Sequence, residues 1–319
     1  MAKISIAIIG AGYMAEEHIK ALKSLDECSI VGISSRTRTK AIQLATKYNI
    51  PLAANSVAEL HAKTNANGVV IAVNELSTLE VLTEAMSLDW RILCEKPIGL
   101  YPSETRWVEK FAKTQKIDLY VALNRRFYRS TVKAIANLEK DSGSRLVEVH
   151  DQEDPDTALA GGRPREVTNQ WMFANSVHLI DYFSIFCRGK LEDICVKTSS
   201  LNGRSRATSA LLNFSSGDQG VYTGIWNAAG FWSVKITTEK RLLELRPLER
   251  LMEQKYPHRQ MRPIANDVSA DFKPGLRSQA NEFLNALRSA HHNLPSISDY
   301  MVTQDLVANI YKNNAVKET

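Results

Sequence analysis

Short apolar runs alternate with amphipathic stretches over the first 123 residues. Segments 4–9, 29–34, 68–73, 91–94 and 117–122 are β-rich and mostly apolar, the pattern of strands buried on both faces. Between them, 13–25, 37–48, 77–89 and 103–114 carry apolar residues at helical spacing. Such alternation predicts a doubly wound parallel sheet in an α/β domain. From residue 124 the pattern changes. A helix is expected at 130–138, then strands at 145–152, 193–200, 208–214, 220–227, 231–238 and 241–245, joined by Gly, Asn and Ser turns. These suggest a large open, mainly antiparallel sheet. Helices at 278–290 and 298–313 close the chain. The expected division is 1–123 and 124–319, with the final helices able to pack back on the first domain. The Pro- and Gly-containing loop 155–165 is the expected mobile lid.

A length of 319 residues suffices for two domains with cores of their own. The net charge of +5 is spread thinly, with no block of Lys or Arg. That argues against a nucleic-acid partner and leaves room for a small anionic ligand. No apolar run reaches the ~18 residues of a membrane span. The first residues pass from one Lys into a strand-like run without a signal-peptide cleavage region, so a cytoplasmic location is expected. Cys28, Cys94, Cys187 and Cys195 show neither CxxC nor metal-ligand spacing. Reduced, mostly buried thiols are expected, and no metal site.

The candidate chemistry begins where strand 4–9 runs into Gly10-Ala11-Gly12-Tyr13-Met14-Ala15. This is a GxGxxA turn opening a helix, the dinucleotide fingerprint of a Rossmann domain. Gly10 permits the tight turn and Gly12 lets a pyrophosphate approach the backbone, where helical N–H groups receive it. Tyr13 and Met14 lie near the cofactor by backbone position, and Asn74 follows strand 68–73 at the cofactor edge. Strand 29–34 ends in Ser35-Arg36-Thr37-Arg38, with no Asp or Glu to hold a ribose or repel a 2′-phosphate. Ser35 and Arg36 favour NADP, NAD remaining an alternative.

Strand 91–94 stops at Glu95-Lys96-Pro97. Ligands of doubly wound sheets bind outside the carboxyl ends of strands, so Glu95 and Lys96 fall beside the expected nicotinamide. A lysine there can take or hold the proton of a substrate hydroxyl while hydride leaves its carbon.

The N-terminal GxGxxA, the mid-chain EKP and a strand followed by Asn124-Arg125-Arg126-Phe127 together resemble the Gfo/Idh/MocA oxidoreductase family. The resemblance extends to Trp171-Met172-Phe173-Ala174-Asn175-Ser176-Val177-His178-Leu179-Ile180-Asp181, similar to the family's histidine motif ending HxxD. It implies a Rossmann domain followed by an α/β domain on a large open sheet, assembled as a homodimer or homotetramer. It also implies hydride transfer on a sugar, polyol or nucleotide-sugar, with Lys96 and His178 as the catalytic pair. Two positions depart from the family pattern: Ala174 where many members carry aspartate, and Thr78 where many carry histidine. Asn175 can bind a substrate hydroxyl but cannot act as a base. Asp181 shares a helix face with His178, either touching substrate or bracing the helix. Arg126 suits an anionic group, as do Arg125, Arg163 and Arg165. Trp171 offers an apolar wall to a sugar ring. Two alternatives stay open: a non-catalytic NADP-binding regulator of the same fold, for which the family's galactose-pathway repressor is a precedent, and a reductase of imines or conjugated double bonds.

Overall fold

The computed structural model describes residues 3–266 and 271–312. The chain divides into two compact units, Met1–Asn124 with Ser269–Met301, and Arg125–Val268 with Val302–Thr319.

In the first unit β1 (Ile4–Ile9), β2 (Cys28–Ser34), β3 (Ala53–Ala54), β4 (Gly68–Ile71), β5 (Arg91–Glu95) and β6 (Leu119–Ala122) form one parallel sheet. Its order is β3-β2-β1-β4-β5-β6. Helices α1 (Tyr13–Lys23), α2 (Arg38–Tyr48), α3 (Val57–Lys63), α4 (Thr78–Met86) and α5 (Pro102–Gln115) connect the strands. Ile6, Ala7, Ile8, Val69 and Ile71 are fully buried, as strands covered on both faces require. Winding reverses direction between β1 and β4, and all six strands end on one edge. That edge is where a doubly wound sheet binds its ligands. Two elements were not anticipated: β3, only two residues long, and α3, whose seven residues start at the Ser56 cap.

The second unit opens with α6 (Arg129–Leu138). Its sheet contains β7 (Leu146–Glu153), β8 (Leu191–Asn202), β9 (Ser205–Phe214), β10 (Gln219–Trp226), β11 (Ser233–Thr237), β12 (Arg241–Leu245), β13 (Arg250–Lys255) and β14 (Arg262–Asn266). The order is β14-β13-β12-β11-β7-β10-β9-β8, with β7 and β10 parallel and the remaining neighbours antiparallel. The sheet is therefore mixed and mainly antiparallel, and it reaches two strands beyond the pattern-based expectation. β13 and β14 are rich in Arg, Glu, Gln and Asn, so alternation of apolar residues does not mark them.

The segment expected as a loop, 155–165, instead contains α7 (Pro155–Ala160) and runs into α8 (Arg165–Asn169). Asp154 caps α7 by accepting from the Thr157 N–H at 3.0 Å, and Pro155 occupies the first helical position. The helix α9 (Val177–Phe186) lies against β7. The last two helices are α10 (Leu276–Leu287), in the first unit, and α11 (Ile297–Ile310). The helix expected at 298–313 ends beyond the described residues at position 313. Among the described residues no helix is long and apolar enough to cross a membrane. Of the cysteines, Cys28 and Cys94 are buried, Cys187 is half-buried and Cys195 is exposed, so burial is less general than expected.

Candidate active site

The glycine turn of the first unit is built by close approach of two strand ends. Gly10 has φ +122°, and a Cβ there would sit 2.0 Å from the Ala72 carbonyl oxygen just past β4. Its N–H donates to the Ser34 carbonyl at 2.8 Å, joining the ends of β1 and β2. Gly12, the residue before α1, is the opposite case: a Cβ there would meet nothing within 4 Å. The first N–H groups of a helix have no intrahelical partner. An open helix start with a bare backbone fits a diphosphate. Tyr13 is 63% exposed, and the Lys273 ammonium lies 5.2 Å from its ring centroid. The Lys273 N–H donates to Glu17 Oε2 at 2.7 Å, and Asn124 Nδ2 donates to the Pro274 carbonyl at 3.1 Å, so segment 273–275 is tied beside this turn. Met14 is half-buried on the first turn of α1.

The other candidate cofactor residues stand on the same sheet edge. Ser35 and the exposed Arg36 follow β2, and Arg36 NH1 lies 3.5 Å from Ser77 Oγ. Asn74, past β4, accepts from the Ser77 N–H at 3.1 Å and caps the short turn that leads into α4. Thr78 is buried there, its hydroxyl donating to the Asn74 carbonyl at 3.2 Å.

β5 ends at Glu95 and delivers Lys96 to this edge. Glu95 Oε1 is 2.7 Å from His18 Nε2, a nearly fully buried ring on α1. The carboxylate is thus held from the helix that carries the glycine turn. Pro97, Ile98, Gly99 and Leu100 are buried and the Lys96–Pro97 peptide is cis. Glu104 of α5 then accepts from the Leu100 and Tyr101 N–H groups at 2.7 and 3.1 Å, fixing the path out of the triplet. Lys96 is half-buried between these two anchors.

In the second unit the candidate residues gather around one helical segment. Residues Met172–Ser176 form a π-turn that runs directly into α9 and His178. Phe173 and Ala174 are buried, whereas Trp171 and Asn175 are half-exposed. His178 is only 9% exposed. Arg126 grips Asp181 with two parallel bonds, Nε to Oδ2 at 2.7 Å and NH2 to Oδ1 at 2.6 Å. Thr303 Oγ1 donates to the same Oδ1 at 2.7 Å. Arg126 and Asp181 therefore serve each other as a brace on α9, one of the two roles open to Asp181 from the sequence. Asp181→Ala is expected to cost about 3 kcal/mol in a urea titration, because it removes a nearly buried carboxylate that accepts two bonds from Arg126 and one from Thr303.

Behind the π-turn, β7 presents two acids. Asp151 and Glu153 follow Val147 and Val149 on the buried face of the strand, at 1% and 2% exposure. Glu153 Oε2 accepts from Trp171 Nε1 and from Asn175 Nδ2, the latter at 2.8 Å. Asp151 Oδ2 accepts from the Tyr222 hydroxyl at 2.6 Å. That hydroxyl is 2.7 Å from the one of Tyr311, which also accepts from Trp226 Nε1 at 2.9 Å. Burial drives both acids toward the protonated form; Glu153 goes furthest, raised also by the charge of Asp151.

Residues 4–123 match the family model described as "Oxidoreductase family, NAD-binding Rossmann fold". That model is the one of the Gfo/Idh/MocA oxidoreductases, and it matches the first sheet's segment alone. The chain is 30% identical over 123 residues to trans-1,2-dihydrobenzene-1,2-diol dehydrogenase of Mus musculus, 38% of this chain and 37% of that one. It is 33% identical over 96 residues to inositol 2-dehydrogenase of Renibacterium salmoninarum, 30% of this chain and 29% of that one. Both matches span well under two thirds of the relatives' lengths. Along nearly the whole chain the fold is similar to a crystal structure of a dehydrogenase from Chromobacterium violaceum, with TM-score 0.82, 17% identity, and 98% and 95% of the two chains covered.

The sequence alone did not single out His18, Asp151 or Glu153 as site residues. His18 pairs with a residue 77 positions away, and no local pattern announces that. The acids did leave a signal. Two-residue alternation through Val147 and Val149 carries straight on to positions 151 and 153, turning both inward.

Proposed function

We propose that the protein is an NAD(P)-dependent oxidoreductase acting between the nicotinamide and a secondary alcohol or ketone of a sugar, polyol or nucleotide-sugar. The observation that carries this is the Glu95-Lys96 exit of β5 on the sheet edge that holds the Gly10–Gly12 turn. The nicotinamide cofactor supplies the hydride acceptor when bound. Oxidation of a carbinol releases a hydride from carbon and a proton from oxygen. Lys96, as the free amine, takes that proton and returns it in the reverse direction. His178 is the second proton-handling group, and Asn175 and Trp171 hold the polar and apolar sides of the substrate. Similarity to an inositol 2-dehydrogenase supports a polyol among the substrates.

The absence of any acid between Ser34 and Lys40 supports NADP as the preferred cofactor, with Ser35 and Arg36 on the 2′-phosphate. Arg36→Ala is expected to weaken NADP binding by about tenfold and leave NAD binding nearly unchanged, as read by calorimetry with each cofactor. The function itself is tested by incubating the purified chain with NADP⁺ or NAD⁺ and a panel of polyols, sugars and nucleotide-sugars. Growth of the reduced-nicotinamide absorbance is the expected result. Ala174 favours a second reading, a cofactor-binding regulator without turnover. Tight NADP binding with no reduction across the whole panel would select it.

A further inference from the structure

Among the described residues, Asp151 and Glu153 stand out as buried acids whose hydrogen-bond donors are all neutral: Tyr222, Trp171 and Asn175. Each spends one oxygen on donors: Asp151 Oδ2 on Tyr222, Glu153 Oε2 on Trp171 and Asn175. Their other oxygens, Asp151 Oδ1 and Glu153 Oε1, are buried and meet no donor from another residue among those described. The two carboxyls stand two residues apart on the buried face of β7, and each acts on the other. Two adjacent buried carboxylates cannot both ionise cheaply, and a single proton between them supplies the missing donor. The surroundings agree. Tyr222 from β10, Tyr311 after α11 and Ser176 from the π-turn are neutral hydroxyls. Arg125 is the cation that acts on Asp151, and its guanidinium is stacked 4.4 Å from the Trp232 ring centroid. The environment supports one negative charge on the pair, not two.

The outward consequence falls on the π-turn. Trp171 and Asn175 both point polar hydrogens back at Glu153 Oε2. Asn175 has thereby committed one amide hydrogen to the strand, which leaves its amide oxygen and its second amide hydrogen for a ligand's hydroxyl. Ala174, in the middle of that segment, contributes no polar side chain.

We propose that Glu153, joined to Asp151 through one shared proton, is the positioning residue of the π-turn, fixing Trp171 and Asn175 ahead of His178 from the strand behind them. The link to catalysis rests on the hydride-transfer reading above; the shared proton does not.

Thermal unfolding of the full chain from about pH 5 to about pH 9 tests the pair directly. In the unfolded chain both carboxyls ionise near pH 4, while the folded pair keeps one proton to higher pH. The folded state therefore binds more protons in that window, and wild-type stability falls as pH rises through it. Glu153→Gln has no proton to lose and keeps both roles, its carbonyl accepting from Trp171 and Asn175 and its amide donating to Asp151. Its Tm relative to wild type is expected to rise by about 3 °C for each pH unit until the wild-type pair ionises. A Tm difference that does not change with pH overturns the shared proton. The infrared carbonyl stretch of an un-ionised carboxylic acid, present at neutral pH and lost in Glu153→Gln, is the second readout; its absence from wild type has the same overturning force.

Positioning is read from Trp171 emission, isolated by difference against Trp171→Phe. Emission should be kept in Glu153→Gln and shifted in Glu153→Ala, or in Glu153→Met should the alanine variant unfold. Unchanged emission in the truncated variant overturns the positioning role. With a substrate from the panel, the truncation should raise KM for that substrate and spare KM for NADP, and the glutamine variant should restore it. A wild-type protein that turns over nothing counts against the hydride-transfer reading, while the thermal, infrared and emission results still decide the pair.

Discussion

Lys96→Ala should lower the rate of hydride transfer by about 10²–10⁴-fold, the range a positioned proton-transfer group contributes, and leave NADP affinity within about threefold. The reason lies in how the side chain is delivered. β5 ends at the ligand edge of a parallel sheet. Glu95 is clamped by His18 on one side of the lysine, and Pro97 begins a buried run on the other. The lysine itself contributes no large area to the core, so its loss removes chemistry rather than the fold. Lys96→Arg sharpens the test. A guanidinium keeps the positive charge but does not give up its proton at any working pH. If the amine moves a proton, the arginine variant is as slow as the alanine one; if it only supplies charge, arginine restores much of the rate. Stopped-flow reduction of NADP⁺, with cofactor binding followed separately, reads both. A rate unaffected by Lys96→Ala would remove the residue from the reaction.

The second large effect separates two glycines that look alike in the motif. Gly10→Ala places a methyl 2.0 Å from the Ala72 carbonyl oxygen at a positive φ, so β1 and β4 must part. A destabilisation of about 3 kcal/mol is expected by denaturant titration. Gly12→Ala has open space for the methyl. Stability should move by no more than about 0.5 kcal/mol. Cofactor affinity should nevertheless fall by about tenfold or more, because the methyl stands where the diphosphate reaches the backbone. Unaltered NADP binding by Gly12→Ala would mean that this turn is not the diphosphate cradle.

The contrast also shows what could be read from the letters alone. The first sheet was legible because its strands are apolar on both faces and its helices keep a steady period; Ile6, Ile8 and Val69 have no alternative but the core. The motif names Gly10 and Gly12 together, yet only the geometry tells the one that closes a turn from the one that leaves room. The second sheet was legible in its middle and not at its edge, since β13 and β14 are built of polar residues that pair by backbone. Residues 155–165 read as a loop on account of Pro and Gly, although Asp154 and Pro155 are also how a helix begins. Arg126 read as a group for an anion, and Asp181 as either a substrate contact or a brace on its helix; their mutual grip depends on a fold that brings positions 55 apart into contact. The buried acids were passed over for the opposite reason, that charge is ordinarily taken as a mark of solvent.

The π-turn at Met172–Ser176 has one more effect. A turn that closes one residue late shifts the angular bookkeeping of the helix by about 100°. Side chains before it and after it therefore belong to two different wheels. Trp171 and Asn175 are aimed by the first wheel, His178 and Asp181 by the second. A relative whose helix lacked the extra residue would bring a different letter to the same compass bearing, so equivalence between the two proteins has to be drawn by direction in space rather than by column.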